Sequence, residues 1–265
     1  MIPGPALLAH LLRRARLVGG RWRWPSRCWV CGAWPGPALC EPCVEAFAQP
    51  SARCLQCALP LSQEAWARGP HTSRLCPPCR LTPSLLSACH AALDYDYPWN
   101  RCITTFKFGH QPGLARVLAD LMWHAPGIAP ALEQTDLVVP MPLSPHRLQS
   151  RGFNQAHELA RELERHRALS SSTPQPRTRY HPHLLHRLRD TQAQSTLNAV
   201  TRHANLFHAF QVLPSDHKLV QGRQVVVIDD VMTTGASLHE AARALLLAGA
   251  HRVVGVVLAR TPAVS

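Results

Sequence analysis

Apolar positions crowd most densely near the end of the chain. Val225, Val226, Val227 and Ile228 run without a break, Asp229 and Asp230 interrupt, and Val231 follows. A run this apolar suits a strand buried on both faces. Met232-Thr233-Thr234-Gly235-Ala236-Ser237 then makes a short polar turn, and Leu238, Ala241, Ala242, Leu245 and Leu246 recur at helical spacing until Gly249. The unit predicted is strand, phosphate-sized loop and helix. Residues 252–258 are again fully apolar but for Arg252, and they predict a last strand beside Val225–Ile228.

Upstream the same reading gives an entering strand over 91–97, helices over 99–108 and 114–123, a strand over 136–140 and a helix from Asn154 to Arg165. Residues 168–176, ALSSSTPQP, are low in complexity and read as a mobile loop, either a lid over a ligand or a solvated hinge. At the front, residues 1–27 combine Leu7, Leu8, Leu11 and Leu12 with six arginines and no acid. The charges follow the apolar stretch and no small-residue cleavage site is present, which argues against a secretory signal and for a short amphipathic helix. Trp22, Trp24, Trp29 and Trp34 sit among arginines. They either bury themselves around a small domain or offer stacking faces for nucleic-acid bases.

Length and charge narrow the classes. The chain of 265 residues has room for one α/β domain and something smaller. With 28 Lys and Arg against 16 Asp and Glu, the formal charge is +12, which favours polyanions unless the arginines only solvate the surface. No apolar run reaches the length of a membrane span, so a soluble protein is expected.

Cysteines supply the second strong signal. Cys28 and Cys31, Cys40 and Cys43, Cys54 and Cys57, and Cys76 and Cys79 form CxxC pairs, each able to hold one edge of a tetrahedral metal site. Eight thiolates predict two zinc ions. The simplest pairing is sequential, with the first four residues at one ion and the last four at the other; the spacing also permits an interleaved pairing in which the first and third pairs share an ion. A chain without an export signal belongs in a reducing compartment, which disfavours disulfides. Four thiolates close the coordination sphere, so such sites are structural. Cys89 and Cys102 fall outside this spacing and read as buried small apolar residues.

The chemistry centres on the turn after Asp229 and Asp230. Thr233, Thr234 and Ser237 supply hydroxyls, Gly235 lets the backbone approach, and the following helix offers unpaired N–H groups and the positive end of its dipole. Both acids lie at the carboxyl end of the strand, where open α/β sheets place ligands, and suit ribose hydroxyls with a magnesium ion nearby. Residues 136–140 run into a second cation-rich loop carrying Arg147 and Arg151. A ligand with phosphates at two ends needs two such loops. Lys107, near the end of a predicted helix, reads as a C-terminal cap, with a bound phosphate as its other use. The scattered histidines show no HExxH spacing and give no support to a hydrolase.

The stretch VVVIDDVMTTGAS resembles the phosphoribosyl pyrophosphate (PRPP) motif of type I phosphoribosyltransferases. With VPMPL, RGFNQA, RLRDTQAQSTLNAVTRHAN and the four CxxC pairs, the whole chain resembles the ComF family of competence-associated, phosphoribosyltransferase-like proteins. The resemblance implies an α/β fold with a type I phosphoribosyltransferase-like parallel sheet flanked by helices. Its domains would be a basic N-terminal helix over 1–27, a double zinc ribbon over 28–88 and the phosphoribosyltransferase-like domain over 89–265. Asp229, Asp230, Thr233, Thr234, Gly235, Ala236 and Ser237 would surround the ribose 5-phosphate, with Asp229 and Asp230 as catalytic residues. Arg147 and Arg151 would lie by the pyrophosphate, and Arg187, Arg189, Thr191 and Gln194 match the family's polar stretch. The expected ligands are two structural Zn2+ and Mg2+ with PRPP. Expected partners are single-stranded DNA and competence-machinery proteins, in the cytoplasm.

Two functions remain open: a PRPP-binding DNA-uptake or DNA-utilisation factor, and a phosphoribosyltransferase acting on a base or other small acceptor. Glutamine-dependent amidotransfer, known in the purine-pathway relative, is not expected, because it needs a cysteine at the mature amino terminus and Ile2 stands there.

Overall fold

The computed structural model describes residues 26–61, 74–170, 179–188 and 209–262, together with the backbone of 17–18 and 21–22. The chain divides into two compact units, 1–49 and 50–265. In the smaller unit, β1 (Leu17–Val18) pairs antiparallel with β2 (Arg21–Trp22), so this part of the expected N-terminal helix is extended instead. Residues 1–16 lie outside the described residues. Trp29 and Trp34 do not bury themselves: they are 41 and 57 % exposed. Helix α1 (Glu41–Phe47) follows directly on Cys40, its N-cap.

The larger unit opens with the second pair of CxxC motifs and α2 (Pro77–Leu81), again directly after a cysteine, Cys76. The division at residue 49 therefore groups this second half of the ribbon with the α/β unit. From there β3 (Ala88–Asp94), α3 (Trp99–Phe108), α4 (Leu114–His124) and α5 (Ile128–Gln134) lead into β4 (Leu137–Pro140). Helices α6 (Pro145–Arg151) and α7 (Gln155–Ser170) come next. After the small antiparallel pair β5 (His186–Arg187) and β6 (Phe210–Gln211) stand α8 (His217–Val220), β7 (Gln224–Met232), α9 (Ala236–Leu247) and β8 (Arg252–Arg260).

Four parallel strands form the sheet in the order β3-β8-β7-β4. The expected pairing of the last two strands holds, with Val225 opposite Val253. Because side chains alternate along a strand, Val225 and Val227 join Leu238, Ala241, Ala242 and Leu245 of α9 in one core, leaving the equally buried Val226 and Ile228 for the opposite face. There α4 and α7 pack on each other and on the sheet, with Leu118, Met122, Leu159 and Leu163 wholly buried. The edge strand β4 is covered: Val138 donates to the Arg179 carbonyl and accepts from His181.

The cation-rich loop expected after β4 is in fact the short helix α6. Ser144 Oγ accepts from the Arg147 N–H, Pro145 sits in the first turn, and Gly152 ends the helix at φ +77°. Strand β7 also runs further than the apolar pattern indicated, carrying both acids to Met232 within the sheet.

Candidate functional site

The carboxyl ends of the strands open onto a cleft of about 210 Å³. Its walls come from Tyr95, Lys107, Leu143 and Arg151, the start of α7 (Asn154–Ala156) and the continuous stretch 229–238. The predicted Asp229, Asp230, Thr233, Thr234, Gly235, Ala236, Ser237 and Arg151 therefore meet at one place. Arg147 lies outside these walls, one turn before Arg151 on α6. Arg189, Thr191 and Gln194 lie outside the described residues, while Arg187 stands on β5 with its guanidinium 5.4 Å from the Phe210 ring centre.

Gly235 shapes the turn. It holds φ at +84° just ahead of α9, and a Cβ on it would overlap Met232 Cε. The glycine thus brings the backbone close to the cleft and aims the N-terminus of a twelve-residue helix into it. Among the first N–H groups, that of Ala236 reaches Thr234 Oγ1 at 3.4 Å.

The two acids have different surroundings. Asp230 is 8 % exposed and sits 3.1 Å from Lys107 Nζ, so its charge is paired. Asp229 keeps part of its surface open to the cleft. Burial, followed by the neighbouring Asp230, pushes its carboxyl up to about 7, against the pull of the Asp230 N–H, Lys107 and Arg187. This pair thus offers one carboxyl group paired with Lys107 and one raised to about 7. Arg151 donates to Gln155 Oε1 at 2.9 Å and lies over the Phe108 ring at 5.1 Å, which fixes its fork at the cleft wall.

Of the two uses the sequence suggests for Lys107, a helix cap and a phosphate contact, its place in the cleft beside Asp230 favours the second. Tyr95 and Asn154 were not singled out. Tyr95 follows the last residue of β3, a position that strand polarity alone would have marked as ligand-facing. Asn154 caps α7 through Oδ1 and holds the Met141 carbonyl through Nδ2.

The cysteines fall into sequential sets, Cys28, Cys31, Cys40, Cys43 and Cys54, Cys57, Cys76, Cys79, with the sulfur atoms of each within 4.8 Å of one another. In both, the N–H of the third cysteine points at the sulfur of the first: Cys40 to Cys28 at 3.5 Å and Cys76 to Cys54 at 3.3 Å. Such donors favour thiolate, and Cys54 is drawn down to about 4 by the Cys57 thiol and backbone N–H groups against burial. Four soft ligands in a closed set with N–H···S support fit a structural tetrahedral ion. Cys89 and Cys102 are buried, as expected of small apolar residues.

Residues 148–264 match the phosphoribosyl transferase domain family. The DNA utilization protein YhgH of Escherichia coli (strain K12) is 32 % identical over 250 residues, covering 89 % of this chain and 98 % of that protein. Competence protein F of Haemophilus influenzae is 31 % identical over 169 residues, covering 63 % of this chain and 69 % of that protein. Competence protein ComFC of Bacillus subtilis is 36 % identical over 113 residues, covering 43 % of this chain and 39 % of that protein. No helix among the described residues is long and apolar enough to cross a membrane.

Proposed function

Because the chain belongs to the ComF family of phosphoribosyltransferase-like proteins, we propose that it binds PRPP with magnesium in this cleft and serves DNA uptake or utilisation, handling single-stranded DNA in the cytoplasm. One observation carries the reading: a glycine-hinged helix N-terminus and two acids at a strand end share a cleft with Lys107 and Arg151. The helix terminus suits the 5-phosphate, the acids suit ribose hydroxyls, and the two cations suit the pyrophosphate end. The two cysteine sets would each hold a structural zinc ion, which requires reduced thiols and agrees with a reducing compartment. The relatives' names and the +12 charge support the DNA role.

A second reading, transfer of ribose 5-phosphate to a base or other small acceptor, is favoured by the same acids. Magnesium would offset charge on the departing pyrophosphate. Arg151 and Lys107 would hold that group, and Asp229 and Asp230 would steady the ribose as positive charge develops at its anomeric carbon.

Calorimetry with PRPP and magnesium tests the shared premise, and absence of binding would end both readings. A pyrophosphate-release assay with a panel of acceptors then separates them. Salt-sensitive single-stranded DNA binding that survives Asp229→Asn with Asp230→Asn, without acceptor-dependent release by the wild type, supports the first. Acceptor-dependent release abolished by the same change supports the second.

A further inference from the structure

Arg260, the last residue of β8, is 5 % exposed, and no carboxylate among the described residues pairs with it. Its Nε donates to the Cys57 carbonyl at 2.8 Å, inside the second cysteine set. Its Nη1 donates to the Met232 carbonyl at 3.1 Å and to the Thr233 carbonyl, the residues that open the phosphate turn. Thr261 completes the cage through its carbonyl at 2.7 Å and its hydroxyl at 3.0 Å. A buried guanidinium held only by neutral oxygens is costly unless a negative charge lies close. A divalent ion among four thiolates leaves a net charge of about −2, which supplies that charge.

Two further contacts run between the same regions. Ser84 Oγ, past the end of the second cysteine set, meets His239 Nε2 at 3.0 Å, and His239 Nδ1 meets the Gly235 carbonyl at 2.9 Å. Cys89 Sγ donates to Met232 Sδ at 3.5 Å, and the Cys89 N–H donates to the Leu55 carbonyl between Cys54 and Cys57. Met232 is in turn the side chain that excludes a Cβ at Gly235.

We propose that Arg260 is a positioning residue that couples metal occupancy of the Cys54, Cys57, Cys76, Cys79 set to the shape of the phosphate turn at 232–237. The claim concerns the turn itself, and its consequence for ligand rests on the PRPP reading above. With the ion in place, the guanidinium, anchored on the Cys57 carbonyl, donates to the Met232 and Thr233 carbonyls and holds them away from the cleft, leaving the N–H groups of the turn to face an anion. Without the ion the guanidinium loses its counter-charge and the turn loosens. By reciprocity, a ligand that favours the ordered turn slows loss of this one metal.

The test uses the full chain with both metals, following hydrogen exchange over 231–238, metal content and PRPP affinity. For Arg260→Gln with both ions retained, exchange at the turn is expected to rise, and PRPP affinity to fall, by about tenfold. Arg260→Lys, which keeps the charge and loses the fork, is expected to recover part of both. Cys31→Ser, in the other set, should change neither. Unchanged exchange in Arg260→Gln, or an equal rise in Cys31→Ser, overturns the proposal. If Arg260→Gln does not fold, the wild type decides: as a chelator removes the second ion, turn exchange must rise with it, and a turn that stays protected overturns the coupling. Failure of wild-type PRPP binding would remove the proposed ligand while the exchange measurements still decide the coupling.

Discussion

In the first cysteine set Gly32 follows the second ligand at φ +75°, with nothing within 4 Å of where a Cβ would stand; in the second set Ala58 takes that place at φ +56° and is wholly buried. The parallels continue. Cys28 donates to the Ala33 carbonyl and Cys54 to that of Leu59, while Gly32 donates back to Cys28 and Ala58 to Cys54. Cys40 and Cys76 each serve as N-cap to a short proline-bearing helix. One backbone design is thus used twice. The surroundings differ, because Ala58 is part of the α/β core and the carbonyls of Leu55 and Cys57 bond to Cys89 and Arg260 of the sheet. The shared CxxC pairs therefore say what a site can bind and not what depends on it.

The largest effect expected is on stability. Loss of the second metal, through Cys79→Ser, should lower the main melting transition by about 10 °C or more, since structural metal binding is folding energy and this site is continuous with the core. Loss of the first, through Cys31→Ser, should move that transition by no more than about 2 °C. Calorimetric scans of both variants check this, and equal shifts would break the comparison.

Next comes the pH response at the far end of the second set's connections. Asp229, raised to about 7, must be ionised to hold magnesium or ribose hydroxyls. Ligand binding below that value therefore releases a proton. Affinity for PRPP with magnesium should rise about fivefold between about pH 6 and about pH 7 and about twofold more before levelling off near about pH 8. Stability of the free protein runs the other way. The folded state holds this proton to higher pH than the unfolded chain, so the group's contribution falls as pH rises from the ordinary carboxylate range to about 7. Asp229→Asn should remove both slopes. Cys31→Ser should keep them, and loss of the second metal should flatten the affinity profile. Titrations by calorimetry at several pH values measure it.

A smaller effect is expected at Arg53, whose Nη1 binds the Ala58 carbonyl at 3.1 Å and Asp94 Oδ1 at 2.8 Å, tying the second set to the end of β3. Asp94 is partly solvated, with a side chain 43 % exposed, so Arg53→Met should cost only about 1 kcal/mol in denaturant unfolding.

These contrasts were not legible in the sequence, although much else was. The β7 strand, its turn and α9 follow from a four-residue apolar run, a threonine- and glycine-bearing turn and helical spacing, all local signals. The CxxC pairs follow from spacing in the same way, while their grouping into sequential sets comes from the structure. Lys107, Arg53 and Arg260 act through partners 123, 41 and 203 residues away, at Asp230, Asp94 and Cys57. No periodicity encodes a contact of that length. Arg260 is hidden further by sitting at the end of an apolar strand, where it reads as the first solvated residue past the core. Arg147 and Arg151 pair in the sequence as cations of one loop, but that loop is the helix α6, and only Arg151, packed on Phe108, lines the cleft.

The finest test of the repeated design exchanges the two residues that follow the second cysteines. Gly32→Ala adds a methyl in open space at a positive φ. The strain of about 1 kcal/mol is largely offset because alanine has less freedom than glycine to lose on folding, so the net cost should stay within about 0.5 kcal/mol. Ala58→Gly relieves the same strain, but it removes a buried methyl worth about 0.8 kcal/mol and adds glycine's unfolded-state freedom. The two backbone terms largely cancel with reversed sign, so its net cost should be about 0.5 kcal/mol. Both values come from denaturant midpoints, reading the smaller unit by metal retention and the larger by its main transition. The order is the informative part: the backbone terms have opposite sign in the two changes and nearly cancel in each, so the buried methyl makes Ala58→Gly the costlier change. If Gly32→Ala proved as costly, the first set would have to be as tightly embedded as the second, and the distinction between the two clusters would fail.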